Sequence, residues 1–472
     1  MNILNDDMEI NEPSAHEYVI KNRLRSSDEV IHGWYRFVLG YPPHLVREYL
    51  KELQAEPERD WVLDPFCGTA TTPVEARLQG FSTTSLDANP ISYLATRVKL
   101  NWDVDVEQIN RILNNVLDLA ACCLKKEKLA IIPQGEYQLS FLKSLIIDSR
   151  YKDHLLANDF SPSRLLTSKA AALIPKGFIS TKPLLRVLAL RYAIENLVQS
   201  PDQSDFLKLA LASTTVKPAG NVGFGPEVYR LPPQEDVDVF EAFSNTVARM
   251  IADLQEVNLR RPKPFPPSYI NIDDARVLSC LQDHPPIGII ITSPPYPNEK
   301  DYTRSTRLES VLLGLITSKS DLRLLKERLL RSNTRNVFVN DDDDKFIEDI
   351  DSVRKVAEEI ERKRVELNKT SGFERLYHRV ARLYFGGMYR HLASLYPRLR
   401  PGARCAYVVG DQMSFFRVHI RTAELLADVA LKAGYKVEGI QLWRTRRSTT
   451  TGIDLEENVL ILKKDSGGNR HA

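Results

Sequence analysis

The residues of this chain best equipped for chemistry are Thr292-Ser293-Pro294-Pro295-Tyr296, which close the apolar run Ile287-Gly288-Ile289-Ile290-Ile291. Two consecutive prolines fix φ and bring no N–H donors, so the carbonyls around them point outward from a rigid turn that ends in an aromatic ring. Such a turn accepts hydrogen bonds from a planar amine while the tyrosine stacks on the heterocycle that carries it. Taken alone it is ordinary loop chemistry, and a second motif gives it meaning. Trp61-Val62-Leu63-Asp64-Pro65-Phe66-Cys67-Gly68-Thr69-Ala70-Thr71-Thr72 reads as a short buried strand ending in an acid, a tight loop of small residues, and a helix starting near Thr72. Amides at such a helix start receive a carboxylate or another polar ligand group. A second strand signal, 81–86, ends in Asp87, and an acid about twenty residues after the first suits the two hydroxyls of a ribose. Glycines are too few for a pyrophosphate fingerprint, so a nucleoside ligand without phosphates fits better.

Together, Asp64-Pro65-Phe66-Cys67-Gly68-Thr69 and Ser293-Pro294-Pro295-Tyr296 resemble the S-adenosylmethionine-dependent DNA amino-methyltransferases, which modify cytosine N4 or adenine N6. Tyr35-Arg36-Phe37 through Tyr41-Pro42-Pro43-His44-Leu45-Val46 resembles the stretch before the cofactor loop in that family. Leu399-Arg400-Pro401-Gly402-Ala403 resembles its turn ahead of a late core strand. The resemblance implies S-adenosyl-L-methionine as methyl donor, double-stranded DNA as substrate, a flipped target base, and a cognate restriction endonuclease as candidate partner. It makes Ser293, Pro294, Pro295 and Tyr296 the catalytic clamp, with Ser293 and the Pro294 carbonyl accepting the amine hydrogens and Tyr296 stacking on the base. Asp64 is expected near the methionine ammonium, with Phe66, Gly68 and Thr69 beside the cofactor and Asp87 on its ribose. Asp274 is expected near the adenine amine, Asp273 being an equal candidate. Ser293 favours cytosine N4, because adenine enzymes more often carry Asp or Asn there. Adenine N6, a transfer-RNA base, and a non-catalytic cofactor- or DNA-binding protein stay open as alternatives.

In-line attack by an exocyclic amine needs no covalent intermediate, and the Pro-Cys dipeptide of the C5-cytosine enzymes does not occur in the sequence. Cys67 reads as a small buried residue. Ala70 stands where the resembled loop usually has glycine, so either the backbone there is ordinary or cofactor affinity suffers. In Asp301-Tyr302-Thr303-Arg304-Ser305-Thr306-Arg307-Leu308-Glu309, Arg304 and Arg307 are candidate phosphate contacts and Asp301 a candidate for steering the amine. The competing reading is a helix start capped by Thr303. Arg444-Thr445-Arg446-Arg447-Ser448-Thr449 follows a core strand and has the make-up of a phosphate-contacting loop, offering Arg444, Arg446 and Arg447 to DNA.

The elements that must position these residues are strands at 60–63, 81–86, 268–272, 287–292, 404–410, 436–443 and 458–463, with helical patterns between them. Their alternation predicts an α/β fold with a mainly parallel sheet covered by helices on both faces. The resemblance makes it a Rossmann-like class I methyltransferase core of seven strands, the last antiparallel, interrupted by helical insertions. The expected division is an N-terminal segment with the cofactor loop (1–104), a mostly helical inserted domain (105–265), the core with the clamp (266–315), a second helical insertion (316–375) and the end of the core (376–472). Target recognition is expected in the insertions. Helical spacing marks 112–125, 183–199 and 237–257, followed by Arg261-Pro262-Lys263-Pro264-Phe265-Pro266-Pro267; a charged helix is expected at 345–369 after the acidic run Asp341–Asp344.

The net charge of +2 excludes a basic-tail nucleic-acid binder, although residues 354–404 hold thirteen Lys/Arg against five Asp/Glu. That density suits either a phosphate-tracking stripe or a solvated helix face. Five cysteines without Cys-x-x-Cys spacing, and nine histidines without ligand spacing, argue against a metal site and a disulfide framework. No run is long and apolar enough for a signal peptide or a membrane span, so a cytoplasmic enzyme is expected. Nothing in the sequence sets an oligomeric state.

Overall fold

A computed structural model of the protein describes residues 24–35, 40–126, 160–225, 228–260, 263–298, 300–447 and 452–466. Arg36-Phe37, Arg261-Pro262 and Ser448-Thr449, named above, lie outside them. The strands are β1 (Trp61–Asp64), β2 (Ser82–Asp87), β3 (Val222–Phe224), β4 (Val228–Arg230), β5 (Ser268–Ile272), β6 (Ile287–Thr292), β7 (Leu399–Gly410), β8 (Lys436–Arg447) and β9 (Asp454–Lys463). Apart from the β3–β4 hairpin, seven of them form one sheet in the order β5-β2-β1-β6-β7-β9-β8. Neighbours from β5 to β7 run parallel, while β9 is antiparallel to both β7 and β8. This order, with a single reversed strand next to one edge, is the class I methyltransferase version of the Rossmann-like fold.

Residue alternation explains why the sheet is covered twice. Val62, Ile289, Ile291, Ala406, Val408, Val459 and Ile461 point to one face, where helix α1 (Pro43–Glu52) packs through Leu45, Val46 and Tyr49. Leu63, Ile287, Ile290, Cys405, Tyr407, Val409, Leu460 and Leu462 point to the other. The period of two places successive side chains on opposite faces, and β6, buried at all six positions, needs cover on both. Helix α2 (Thr71–Leu78) follows β1 and α3 (Pro90–Leu100) follows β2.

The 105–265 stretch contributes α4 (Val106–Lys126), α5 (Thr181–Leu197), α6 (Pro201–Thr214) and α7 (Val239–Arg260). Their apolar faces share one cluster with Ala70 and Val74 at the α2 end and with Ile91 and Ala95 of α3, so the inserted helices extend the core. In 316–375 lie α8 (Lys319–Arg328) and α9 (Asp351–Glu366), followed by α10 (Tyr377–Leu395) and α11 (Thr422–Lys432) on the second face. The charged helix thus begins later than expected, after a 3-10 turn at Asp343–Ile347.

Charges in this part of the chain pair with one another. Asp343 is held between Arg276 (2.8 Å) and Arg390 (2.6 Å), which fastens the second insertion to the core, and Asp341 pairs with Arg331 (2.7 Å) within the insertion. Arg354, Arg362 and Arg364 pair with acids three or four residues away on α9, while Arg400 pairs with Asp60 and Arg404 with Glu438. At these positions the basic stretch is an ion-paired face. A second difference concerns β8 and β9, which extend beyond 443 and start before 458. Arg444, Arg446 and Arg447, expected on a loop, are strand residues facing Glu457, Leu455 and Asp454 in the pairing register.

Candidate active site

The C-terminal ends of β1, β2, β5 and β6 open into a cavity of about 320 Å3 whose wall includes Phe66, Gly68, Thr69, Asp87, Asp274 and the whole Ser293–Tyr296 turn. One cavity thus brings the cofactor-loop candidates and the clamp together, at a volume within the usual range for small-molecule sites.

Asp64, the last residue of β1, is 1% exposed and accepts hydrogen bonds from Thr292 Oγ1 (2.6 Å), the Tyr41 hydroxyl (3.0 Å) and the Phe66 N–H (3.1 Å). Burial pushes its carboxyl up to about 6. It is not part of the cavity wall, which takes in the loop from Pro65 to Thr69. Asp87, ending β2, does face the cavity and accepts the N–H of Gly68 (3.0 Å) and of Asn89 (2.8 Å). Burial lifts this carboxyl to about 6 as well. Asn89 caps α3 and reaches Thr306 with its amide nitrogen.

Ala70 adopts the left-handed conformation, φ 73° and ψ 29°, at the start of α2, so its backbone is not ordinary. Its methyl group is fully buried in the hydrophobic cluster with Val74 and Ile91 and is not part of the cavity wall. The left-handed strain of about 1–2 kcal/mol is met by packing, with no methyl beside the ligand space. The Cys67 thiol is buried against Thr96, and burial raises it far above the ordinary thiol range, which leaves it inert.

Both acids after β5 line the cavity with their carboxylates already engaged. Asp274 binds the Arg276 guanidinium (2.6 and 3.0 Å), whereas Asp273 accepts from Ser279 Oγ and the Cys280 N–H.

At the clamp, Ser293 Oγ donates to the Val408 carbonyl on β7 (2.9 Å), which leaves the hydroxyl with lone pairs to offer. The Tyr296 hydroxyl sits 3.4 Å from it, and the Tyr296 N–H donates to the Tyr302 hydroxyl. Gly410 lets the Tyr296 ring lie against β7, since a Cβ there would stand 3.0 Å from the ring. Burial, with Glu457 nearby, holds the phenol protonated.

Of the charged residues after the clamp, Asp301 lines the cavity, whereas Arg304 and Arg307 do not. Asp301, not Thr303, caps the short helix Tyr302–Ser305, accepting from the Thr303 N–H and hydroxyl and pairing with Lys326 (2.9 Å). Burial opposes its ionisation, but Lys326 and Thr303 outweigh it and hold the carboxyl below its usual range. Arg307 is buried, is not part of the cavity wall, and donates to the Thr303 carbonyl and hydroxyl, which fastens its helix to the one before it. Arg304 is half-buried on the same short helix, off the cavity wall. Arg444 and Arg446 do line the cavity, but as strand residues: Arg444 donates to Glu457 (2.5 Å) and Arg446 to the Asp411 carbonyl (2.9 Å). Arg447 lies at the strand end, exposed and away from the cavity wall.

Sequence reasoning missed Tyr35, Tyr41, Glu309, Trp443 and Glu457, all of which line the cavity. Tyr35 and Tyr41 belong to the stretch that resembles the segment before the cofactor loop, and Glu309 ends the Asp301–Glu309 stretch, but nothing local gave these three a role, and Glu457 meets Arg444 only through the strand pairing. Among the described residues there is no cluster of metal-ligating side chains, and no helix is long and apolar enough to cross a membrane.

No protein-family model matches the chain. It is 23% identical over 317 residues to the Type II methyltransferase M.BsoBI of Geobacillus stearothermophilus, an alignment covering 66% of this chain and 58% of that protein. To the Type II methyltransferase M.MvaI of Kocuria varians it is 22% identical over 335 residues, 67% of this chain and 65% of the relative. With the Type II methyltransferase M.AvaI of Nostoc sp. it shares 27% identity over 195 residues, 39% of this chain and 38% of the relative. The chain therefore spans less than two thirds of the length of these curated relatives. All three are Type II methyltransferases, and the chain similar to them carries the class I methyltransferase fold.

Proposed function

We propose that this chain is a site-specific DNA methyltransferase that uses S-adenosyl-L-methionine to methylate the N4 amine of a flipped cytosine, within a restriction-modification system that includes a cognate endonuclease. The observation that carries the reading is the clamp: Ser293 gives its proton to Val408, so it meets the cavity as an acceptor, beside a tyrosine ring that lies against Gly410. The cofactor supplies a methyl group on a cationic sulfur. Ser293 Oγ and the Pro294 carbonyl accept the two amine hydrogens, which localises the nitrogen lone pair and aims it at that methyl. Tyr296 stacks on the base and stands in for the neighbours lost on flipping. Asp87 accepts from the ribose hydroxyls, the Phe66–Thr69 loop lies along the cofactor, and Asp273 or Asp274, whose oxygens all have donors already, receives the adenine amine in exchange for one of them. The methylated nitrogen would release one proton to solvent through the acceptors, the sulfur of the cofactor keeping the electrons of the bond that held the methyl group. The insertions 105–265 and 316–375 carry target recognition in this reading, and Arg444 and Arg446 border the base.

The test is mass spectrometry of nuclease-digested DNA from cells expressing the protein, in which N4-methylcytosine is expected. N6-methyladenine would keep the clamp chemistry and move the target; methyl groups in transfer RNA alone would refute the DNA reading. Tyr296→Ala should lower methylation by about 100-fold or more while S-adenosylhomocysteine binding stays within about twofold. Equal loss of both would mean that Tyr296 does not serve the base.

A further inference from the structure

Glu309, on the short helix Arg307–Leu312, is 2% exposed and nevertheless part of the cavity wall. One carboxylate oxygen accepts from the Tyr35 phenol at 2.5 Å, and among the described residues no cation is bonded to it. Burial lifts this carboxyl to about 7, with the Tyr35 bond working against the rise. A buried acid at a cavity wall without a countercharge is costly, unless the ligand brings the countercharge.

The position of Glu309 says which part of a ligand it would meet. The Lys99 ammonium donates to the carbonyls of Tyr35 (2.6 Å), Thr69 (2.9 Å) and His32 (3.2 Å), which ties the residue holding Glu309 to the cofactor loop. Those carbonyls occupy its three donors. Asp87 stands at the end of strand β2 and also lines the cavity, whereas the other acids of the wall already have side-chain partners: Asp274 has Arg276, Asp273 has Ser279, Asp301 has Lys326 and Glu457 has Arg444. Asp64, the other acid of the loop, is sealed below it with three donors already in place.

We infer that Glu309, and not Asp64, receives the α-ammonium of the cofactor's methionine moiety, with Tyr35 as its positioning residue. The assignment rests on the S-adenosylmethionine reading above. S-Adenosylmethionine and S-adenosylhomocysteine both carry an ammonium at the end remote from the ribose, so one ligand spans Asp87 and Glu309.

Calorimetry on the full chain with S-adenosylhomocysteine and with its des-amino analogue, in which hydrogen replaces the amine, tests it without turnover. The wild-type protein should bind the complete ligand about 10- to 100-fold more tightly, the range for a charge-assisted hydrogen bond. Glu309→Gln should lose a similar factor for S-adenosylhomocysteine, keep the affinity for the analogue, and cease to distinguish the two. The inference is overturned if the variant discriminates as well as the wild type, or if it loses both ligands equally. Wild-type protein that binds both ligands alike overturns it without any variant. Wild-type protein that binds neither removes the cofactor reading itself, a result distinct from the others.

Discussion

The buried Glu309 makes the ligand-free protein measurably sensitive to pH, and Glu309→Gln isolates the effect. Its carboxyl rises from 4.5 to about 7 on folding because burial penalises the charged form and the Tyr35 hydrogen bond offsets only part of that. The folded state therefore holds this proton more tightly than the unfolded chain. The stabilisation that follows is fully present below about pH 4.5 and is lost as pH rises through about 7. The whole difference is worth about 3 kcal/mol at 1.36 kcal/mol per pH unit, and about 2 kcal/mol of it falls between about pH 5.5 and 8. Glutamine cannot ionise, so the stability of wild type minus variant should fall by about 2 kcal/mol across that window. Asp64 and Asp87 also titrate raised, near 6, but they are common to both proteins and cancel in the difference. Denaturant midpoints for the two proteins at the two pH values provide the measurement. Parallel pH profiles would refute the reasoning, because they would mean that the Glu309 carboxylate is hydrated in the folded protein. Saturating S-adenosylhomocysteine should shrink the difference if its ammonium reaches this acid.

Ala70→Gly relieves the left-handed strain but removes a methyl worth about 0.8 kcal/mol from the core, so stability should change by less than about 1 kcal/mol. S-Adenosylhomocysteine affinity should be unchanged, and a several-fold change in calorimetry would put that methyl at the ligand after all. Gly386→Ala places a Cβ against the Asp343 backbone carbonyl, where neither helix α10 nor the Asp343 turn can yield easily. It should cost about 3 kcal/mol in thermal or chemical unfolding, and wild-type stability would show that the turn is free to move. Asp60→Asn leaves Arg59 and Arg400 facing a neutral group beside Gly288 of β6 and should cost about 1–3 kcal/mol, the range for hydrogen bonds to a charged group. A loss below about 1 kcal/mol would mean that the pair is solvated.

The parallel core was legible because proline marks its strand boundaries. Pro266-Pro267 precedes Ser268–Ile272, while Pro285-Pro286 and Pro294-Pro295 bracket Ile287–Thr292, and both strands have the bounds their apolar residues suggest. The β8–β9 hairpin was less legible because its extension runs through Thr445, Arg446 and Arg447, whose composition suggests a loop. The extension is supported by partners on the other strand, such as Glu457 for Arg444. Helix α10 carries Gly386-Gly387, a poor local helix signal, because the Asp343 turn packs where side chains would stand.

For the site, local motifs located the loop and the clamp but could not tell which acids face the ligand. Asp64 and Asp87 both end parallel strands and have the same local signature. Asp64 belongs to β1, whose neighbour β6 presents Thr292 beside it, and that hydroxyl with Tyr41 draws the carboxylate beneath the loop. Asp87 belongs to β2, between β1 and the edge strand β5, and the backbone amides of Gly68 and Asn89 donate to it from its own side of the sheet end, which leaves it in the cavity wall. Glu309 is less visible still, since Tyr35, the residue that holds it, is 274 positions away. An acid's direction at a strand end is thus decided by the donors on neighbouring strands and distant segments. That information exists only after the sheet has formed.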